Sequence, residues 1–307
     1  MSGEALLSVR NLRVDFPVGK KKFTAVRDVS FEIYRGETLS LVGESGSGKT
    51  TIGRAIMRIH PASAGEVFYD SRLVSGRLDS AGERWLRQKV QMIFQDPMAS
   101  LNERAKIDYI VSEGLLAFGL FKDEAERRAK VERALREVGL LPEFATRFPH
   151  EFSGGQRQRI GIARALVMEP ELLIADEPIS ALDVSIRAQV INLMNRLKRE
   201  RGLTYLFIAH DLSVVRYISD RIAVIHRGAL VELAKAERLF ERPLHPYTKS
   251  LLSAVPEPDP EAERAKRHLP YDTAMHDYST EAPTWREAEE GHFILASAPE
   301  LEAWKRA

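Results

Sequence analysis

The chain has 307 residues, of which 44% are hydrophobic and 29% are charged, and its formal net charge is +1. These values are typical of one large or two modest globular domains and do not indicate general attraction to nucleic acid. The sequence contains no cysteine, which excludes disulfides, thiolate metal sites and a cysteine nucleophile. It has no run of 18 apolar residues and no apolar leader, so we expect a cytoplasmic chain without a transmembrane segment or signal peptide.

The N-terminal part of the chain predicts three strands. Residues 5–16 and 23–35 have partly alternating apolar positions, and residues 37–42 are a short, mainly apolar run. Two aromatic side chains in the first two strands, Phe16 and Phe23, have two possible roles. Either could stack on an adenine ring, or both could be core residues of their strands.

The glycine-rich stretch GESGSGKT, residues 43–50, follows the third strand and precedes a predicted helix at 51–59. It fits the phosphate-loop pattern, in which backbone N–H groups and a helix N-terminus face phosphate oxygens. Lys49 would reach the β- and γ-phosphates, and the Thr50 hydroxyl would ligate Mg²⁺. The alternative is a glycine-rich turn that fits the pattern by chance. The predicted nucleotide-binding residues here are Gly43, Glu44, Ser45, Gly46, Ser47, Gly48, Lys49, Thr50 and Thr51.

The middle of the chain predicts more helix than its flanks. Residues 66–74 are predicted as a strand, and residues 89–95 are a short apolar run that ends in polar Gln95. Helices are then predicted over 104–120 and 122–138 from the spacing of their apolar residues. This arrangement predicts a helical subdomain inserted into an α/β core.

A second glycine pair and an acidic strand end follow. Ser-Gly-Gly at 153–155 precedes a helical stretch at 156–168, which could be a second phosphate-facing helix start or a helix that begins at an ordinary serine N-cap. The apolar strand at 171–178 includes Asp176 and Glu177 near its end. Two adjacent carboxylates there suit a Mg²⁺-bound water and a general base, whereas the alternative is a charged turn.

The next predicted helix, residues 185–200, has one apolar face, and the strand at 205–209 ends in His210. A lone histidine is usually structural, but the carboxyl edge of a doubly wound sheet is where ligands bind. A strand pair is predicted at 221–226 and 229–233.

The C-terminal part changes in character. Residues 244–248 and the proline- and glutamate-rich stretch 256–262 predict a linker, and residues 263–307 are polar with weak periodicity. Four histidines have spacings that match no compact metal site, so we expect exposed or capping roles for them. They are His245, His268, His276 and His292.

Taken together, these motifs resemble the nucleotide-binding subunits of ABC transporters over about residues 5–255. The resemblance implies a P-loop NTPase cassette of the α/β class, with a RecA-like core, an N-terminal antiparallel β subdomain, an inserted helical subdomain and a small C-terminal extension. The implied boundaries are an ATPase domain at 1–240, with its core at 1–100 and 165–240 and its helical subdomain at about 101–164, and an extension at 241–307.

The resemblance also implies a role for each motif. Glu177 would be the base for the attacking water, His210 would hold the γ-phosphate, and Gln95 would sense nucleotide and contact membrane subunits. The implied catalytic residues are Glu177, His210, Lys49 and Gln95. The implied Mg²⁺ ligands are Thr50, Gln95 and Asp176. The remaining implied ATP contacts are Phe16 and Val26 at the adenine, the loop Ser153, Gly154, Gly155 and Gln156, and Asp183 between the dimer halves.

The oligopeptide/dipeptide permease ATPases are resembled by three stretches, residues 180–190, 208–215 and 245–260. The sequence of the first stretch is closer to their F-type than to their D-type subunits. The resemblance implies an ATP-hydrolysing subunit that powers peptide import by ATP-driven dimer closure at the cytoplasmic face of the membrane. It implies ATP and Mg²⁺ as cofactors. The implied partners are a second ATPase subunit of the D-type, two transmembrane permease subunits and an extracytoplasmic substrate-binding protein, without nucleic acid. Many members hold an iron–sulfur cluster on C-terminal cysteines, and the absence of cysteine excludes that cluster here.

Three alternatives stay open at this point. The cargo could be an oligosaccharide or nickel, since relatives of peptide permeases carry these. The chain could be an ABC-class ATPase that acts on nucleic acid or ribosomes, although it has neither a second cassette nor a basic charge balance. It could also be a non-hydrolysing regulatory subunit, but Glu177 and His210 argue against that.

Overall fold

The computed structural model describes residues 4–256, 264, 266 and 268–306. The predicted linker stretch at 256–262 lies outside these ranges except for its first residue. The linker prediction at 244–248 is wrong, because these residues are mostly buried and a helix begins at Pro246. The chain divides into two compact units. The first unit comprises residues 76–207 with the short segments 4–5 and 34–37, and the second comprises residues 6–33, 38–75 and 208–306.

The second unit contains an antiparallel sheet whose strands lie in the order β2-β1-β4-β5. Its strands are β1 (Ala5–Val18), β2 (Lys21–Tyr34), β4 (Ala64–Tyr69) and β5 (Arg72–Leu73). The stretch 66–74 is therefore a hairpin rather than the single strand predicted. Asp70 and Ser71 adopt left-handed φ angles of 49° and 61°, which is the backbone of a tight two-residue hairpin turn.

A second sheet in the same unit has the strand order β11-β12-β10-β9-β3, with β3 and β9 parallel. Its members are β3 (Thr38–Val42), β9 (Arg221–His226), β10 (Ala229–Lys235), β11 (Thr284–Glu289) and β12 (His292–Ala296). Every residue of β3 is buried, and β9 is buried in its four central residues. A strand covered on both faces needs a largely apolar run without alternation, and such runs in the sequence identified these two strands. The helices of this unit are α1 (Lys49–Ile56), α8 (Leu212–Val215), α9 (Ala236–Glu241), α10 (Pro246–Ser253) and α11 (Ala298–Arg306).

The polar C-terminal segment contains two strands and a helix that its weak periodicity did not predict, and β11, β12 and α11 pack around Ile294 and Ala296. The expectation of exposed histidines is wrong for two of them. His292 is buried, and the His276 side chain is bonded on both sides, to Tyr271 and Glu300. His292 occupies an inward position of β12, where a polar side chain hides the apolar alternation. The other two expectations hold: His245 caps α10, and His268 is exposed.

In the first unit, strands lie in the order β8-β7-β6, with β6 and β7 parallel. They are β6 (Val90–Ile93), β7 (Leu172–Asp176) and β8 (Thr204–Ala209). The helices are α2 (Ser80–Lys89), α3 (Pro97–Ser100), α4 (Ile107–Phe118), α5 (Glu124–Glu137), α6 (Gly154–Leu166) and α7 (Val184–Arg201), with 3₁₀ turns at Pro142–Thr146 and Pro149–Glu151. Helix α2 was not predicted, because Leu86 is its one large buried apolar side chain.

Helices α4 and α5 are joined by a buried guanidinium. The Arg127 side chain is 7% exposed and donates to Asp108 Oδ2 at 2.7 Å, to Ser112 Oγ at 2.8 Å and to Glu124. These bonds and ion pairs raise the pKa of Arg127, so the buried guanidinium stays positively charged. The helix-rich section predicted at 101–164 is helical here, while its boundaries as a subdomain stay a prediction. Among the described residues, no helix combines the length and the apolar character needed to span a membrane.

Candidate active site

The phosphate loop connects β3 to α1 in the second unit. Helix α1 begins at Lys49, two residues earlier than predicted, and Gly48 precedes it with a φ of 104°. A Cβ at Gly48 would lie 2.5 Å from the Ala25 carbonyl oxygen, so this position accepts only glycine. A second support comes from the turn between β9 and β10, where Gly228 N–H donates to the Ser47 carbonyl at 3.0 Å. The loop conformation is thus set by packing on two sides.

Lys49 is 4% exposed, and its Nζ donates to the carbonyl oxygens of Gly43 and Glu44, each at 2.8 Å. A buried ammonium needs such partners. The loop therefore presents a fixed cation, the hydroxyl of half-buried Thr50 and the first N–H groups of α1 in one short stretch. This donor set suits the phosphates of a nucleotide with a divalent cation.

The adenine candidates differ in environment. Phe16 is half-buried on β1, and its ring lies edge-on to His60 with centroids 5.2 Å apart. Phe23 is 54% exposed, so it is not a core residue. Val26 is buried, and its Cγ2 lies 3.6 Å from the position of a Cβ on Gly48. Val26 thus adjoins the phosphate loop, whereas adenine stacking by Phe16 stays a prediction. His60 is a neighbour that no sequence pattern indicated.

In the first unit, β7 ends at buried Asp176, and Glu177 follows with a left-handed φ of 46°. A non-glycine residue in this region costs about 1 kcal/mol or more and is often found at functional sites. Gln95 Nε2 donates to Glu177 Oε2 at 2.9 Å. Two residues predicted to be catalytic, one following β6 and one following β7, are therefore in direct contact.

The loop after Glu177 is tied to α7. The Ser180 N–H and hydroxyl both donate to the Glu177 carbonyl, at 3.2 and 3.0 Å. Arg187 Nε donates to the Leu182 carbonyl at 2.7 Å, and its Nη2 donates to the Ser180 carbonyl at 3.3 Å. The loop that carries Asp183 is therefore held by Arg187, which the sequence analysis missed. A cation in the first turn of a helix opposes the helix dipole, and that mismatch was an available sign of another role.

The second glycine pair opens α6 in the same unit. Gln156 N–H donates to Ser153 Oγ at 3.4 Å, and Ser153 N–H donates to Gln156 Oε1 at 3.0 Å. This reciprocal cap confirms the N-cap role of Ser153. A Cβ at Gly155 would lie 2.5 Å from Ile186 Cγ2. Since the first N–H groups of a helix lack intrahelical acceptors, the Gly154 and Gly155 amides also suit an anion, and the two roles are compatible.

His210 follows β8 and is exposed in the second unit. The next residue, Asp211, caps α8 by accepting from Ser213 N–H at 2.9 Å and from its hydroxyl at 2.6 Å. The position of the histidine is thus set by a capped turn at the end of the strand.

Comparison with known proteins decides the family. A family model described as "ABC transporter" matches residues 26–180, and one described as "Oligopeptide/dipeptide transporter, C-terminal region" matches residues 231–278. The chain is 60% identical, over 99% of both chains, to the "Oligopeptide transport ATP-binding protein OppF" of Streptococcus pyogenes serotype M1. The chain belongs to the ABC transporter family. This membership confirms the predicted family and the predicted enzyme class, an ATPase.

Other relatives of this ABC cassette have similar names. It is 58% identical to the "Oligopeptide transport ATP-binding protein AmiF" of Streptococcus pneumoniae serotype 4, over 99% of this chain and 98% of the relative. It is 51% identical to the "Dipeptide transport ATP-binding protein DppF" of Lactococcus lactis subsp. cremoris, over 98% and 97%.

Solved structures confirm the predicted fold. The ATP-binding cassette MJ0796, in a dimeric post-hydrolysis state bound to ADP and Pi, matches with a TM-score of 0.68 at 29% identity, over 75% of this chain and 98% of that chain. The cassette cbiO1 from Clostridium perfringens, part of the transporter complex cbiONQ, matches with a TM-score of 0.69 at 28% identity, over 78% and 91%.

Proposed function

We propose that this ABC ATPase hydrolyses ATP to power the import of oligopeptides or dipeptides across the cytoplasmic membrane. The observation that carries the proposal is full-length similarity to proteins named for oligopeptide transport, together with the match of residues 231–278 to the C-terminal region of such transporters. An intact phosphate loop and the Gln95–Glu177 pair support hydrolysis rather than binding alone.

We further propose that two ATPase subunits meet head to tail. The phosphate loop of one would face Ser153, Gly154, Gly155 and Gln156 of the other, which gives the open N–H groups at the start of α6 an acceptor. Binding of ATP then stabilises the closed dimer, and hydrolysis releases it. Asp183, on the loop held by Arg187, would lie between the two halves.

The proposed chemistry assigns one role to each polar group. Glu177 would accept a proton from the attacking water. Gln95, which donates a hydrogen bond to Glu177, would orient the Glu177 carboxylate. His210 would contact the γ-phosphate, and Lys49 would stabilise the charge that develops there. Thr50, Gln95 and Asp176 would hold Mg²⁺, because hydroxyl, amide and carboxylate oxygens are the ligands that this ion prefers. When bound, Mg²⁺ would add positive charge at the phosphates.

We propose that the chain works at the cytoplasmic face of the membrane with a second, D-type ATPase subunit, two transmembrane permease subunits and an extracytoplasmic substrate-binding protein. Gln95 would lie near the groove that takes a helix of a permease subunit. A chain of this family has no need to contact the cargo, so the cargo class depends on these partners. Oligosaccharide or nickel import by the same mechanism is the alternative, and action on ribosomes or nucleic acid is the rival outside transport.

The test is purification of the tagged chain from detergent-solubilised membranes, with ATPase assays on wild type and Glu177→Gln. We expect two membrane subunits and a second ATPase to co-purify, and turnover to be lost in the variant while ATP binding is kept. Uptake of labelled di- and oligopeptides, compared with nickel and an oligosaccharide, in cells with and without the chain identifies the cargo. Recovery of ribosomes or nucleic acid without a membrane subunit would refute transport.

A further inference from the structure

A tyrosine outside the family-model match of residues 26–180 contacts the phosphate loop. The Tyr247 side chain is 1% exposed, and its hydroxyl oxygen accepts a hydrogen bond from Glu44 N–H at 3.1 Å. Glu44 is the second residue of the loop, and its N–H belongs to the same peptide group as the Gly43 carbonyl, which accepts from Lys49 Nζ at 2.8 Å. This one peptide group therefore lies between the tyrosine and the loop lysine.

The ring of Tyr247 has little freedom to move. It packs against the His226 ring, with centroids 4.1 Å apart, and against the Tyr271 ring at 5.2 Å. His226 is the last residue of β9, and the turn that follows it donates from Gly228 N–H to the Ser47 carbonyl. The tyrosine thus packs against the end of β9, next to the β9–β10 turn that is hydrogen-bonded to the phosphate loop.

The backbone of Tyr247 is fixed from the other side by a buried carboxylate. Glu232 on β10 is fully buried and accepts from Leu244 N–H at 2.8 Å and from His245 N–H at 3.0 Å. Its Oε1 also lies 2.7 Å from His292 Nε2 on β12. His245 Nδ1 then accepts from Tyr247 N–H at 3.0 Å. Hydrogen bonds therefore link the C-terminal strand to Glu232, Glu232 to His245 and His245 to Tyr247, whose hydroxyl reaches the phosphate loop.

The chemistry of the phenol suits this place. Burial raises the pKa of Tyr247 to about 12, so the hydroxyl stays protonated and neutral at physiological pH. A neutral acceptor satisfies the Glu44 amide without adding a negative charge close to bound phosphates, as a carboxylate would. A backbone N–H without an acceptor would be free to reorient, and the direction of the neighbouring peptide groups would change with it.

We propose that Tyr247 is a positioning residue for ATP binding, through which the C-terminal extension fixes the phosphate loop in its binding conformation. This inference rests on the proposed function, because it assigns a role in that same ATP site. The phenol does not touch the reacting atoms. Its effect is on how well the loop N–H groups are aligned before ATP arrives.

The test compares Tyr247→Phe with Tyr271→Phe in the full chain. Both variants keep the ring in the same aromatic group and lose one hydroxyl, but the Tyr271 hydroxyl is bonded to His276 Nε2 at 2.9 Å rather than to the loop. We expect Tyr247→Phe to raise the Kd for MgATP about 2- to 10-fold, the worth of one hydrogen bond. It should also speed amide hydrogen exchange in residues 43–50 without nucleotide. Tyr271→Phe should leave both unchanged.

An equal rise in the Kd for MgATP and in the exchange rate of residues 43–50 in both variants would overturn the inference, because the effect would then come from the aromatic packing. Wild-type binding and exchange in Tyr247→Phe would overturn it as well. A measurement on wild type alone gives a second test: by linkage, saturating ATP should slow exchange in residues 246–253, and no change there contradicts the coupling. Failure of wild type to bind ATP would refute the proposed function instead, while the exchange of nucleotide-free variants still tests the contact.

Discussion

The buried carboxylate of Glu232 should be a major source of stability for the second unit, and Glu232→Gln tests this. The wild-type carboxylate has no exposure and faces three donors, the Leu244 and His245 amides and His292 Nε2. Burying a charge costs several kcal/mol, which three charge-assisted bonds of about 1.5–3 kcal/mol each offset.

Glutamine has the same shape but only one acceptor oxygen. If that oxygen keeps the Leu244 and His292 contacts, the new amide N–H₂ faces the His245 N–H, and a buried donor is left without an acceptor at a cost of about 1–3 kcal/mol. The two remaining bonds also lose their charge assistance. We therefore expect Glu232→Gln to lower the free energy of unfolding by about 2–3 kcal/mol, or the Tm of this unit by roughly 5–10 °C.

Urea denaturation followed by tryptophan fluorescence, with calorimetry alongside, measures the change. The matched control is Glu66→Gln, the same substitution on an exposed position of β4, which should stay within about 0.5 kcal/mol of wild type. A Glu232→Gln protein as stable as this control would refute the reasoning that the three bonds outweigh the desolvation of the charge.

Three further predictions concern the site and its surroundings. Glu177→Gln should cut ATP turnover by about 100-fold or more, the scale of a lost general base, and keep the Kd for ATP; normal hydrolysis would contradict the assignment. Gly48→Ala should abolish ATP binding in a filter or fluorescence assay, because its Cβ would lie 2.5 Å from the Ala25 carbonyl at a φ of 104°. His245 has its pKa lowered by burial from 6.5 to about 3, so the unfolded chain binds more protons between these values. Stability should be complete above pH 6.5 and fall as the pH drops toward 3. Urea midpoints measured from pH 7 to 4 should show this decline, and His245→Asn, which keeps a capping side chain, should flatten it.

The parts of the fold that depend on local patterns were predictable from the sequence. Strand β3 is a continuous apolar run before a glycine loop, and α7 has apolar residues at helical spacing, so burial and periodicity identify both. The Ser153 cap was predictable because serine before a helix has one common role. Gln95 and Glu177 were expected at one site, and their hydrogen bond agrees with it.

What sequence reasoning missed depends on tertiary contacts. Helix α2 is short and buries one large apolar side chain, so its Asp79 cap was the main available sign. The C-terminal strands place His292 at an inward position, where a polar residue breaks the alternation that identifies a strand. The contact from Tyr247 to Glu44 joins residues 203 positions apart, and no local pattern encodes it.

Because Glu177 has a left-handed backbone, substitutions that improve stability at this position are expected to reduce turnover. Glycine or asparagine at this position would relieve strain of about 1 kcal/mol but would remove the carboxylate. A library screened for heat resistance alone will therefore enrich inactive proteins with changes at this residue. Substitutions at this residue will be tolerated in a screen for folding but not in a screen for transport. Positions where the two screens disagree in this way are those at which a strained backbone is needed for function.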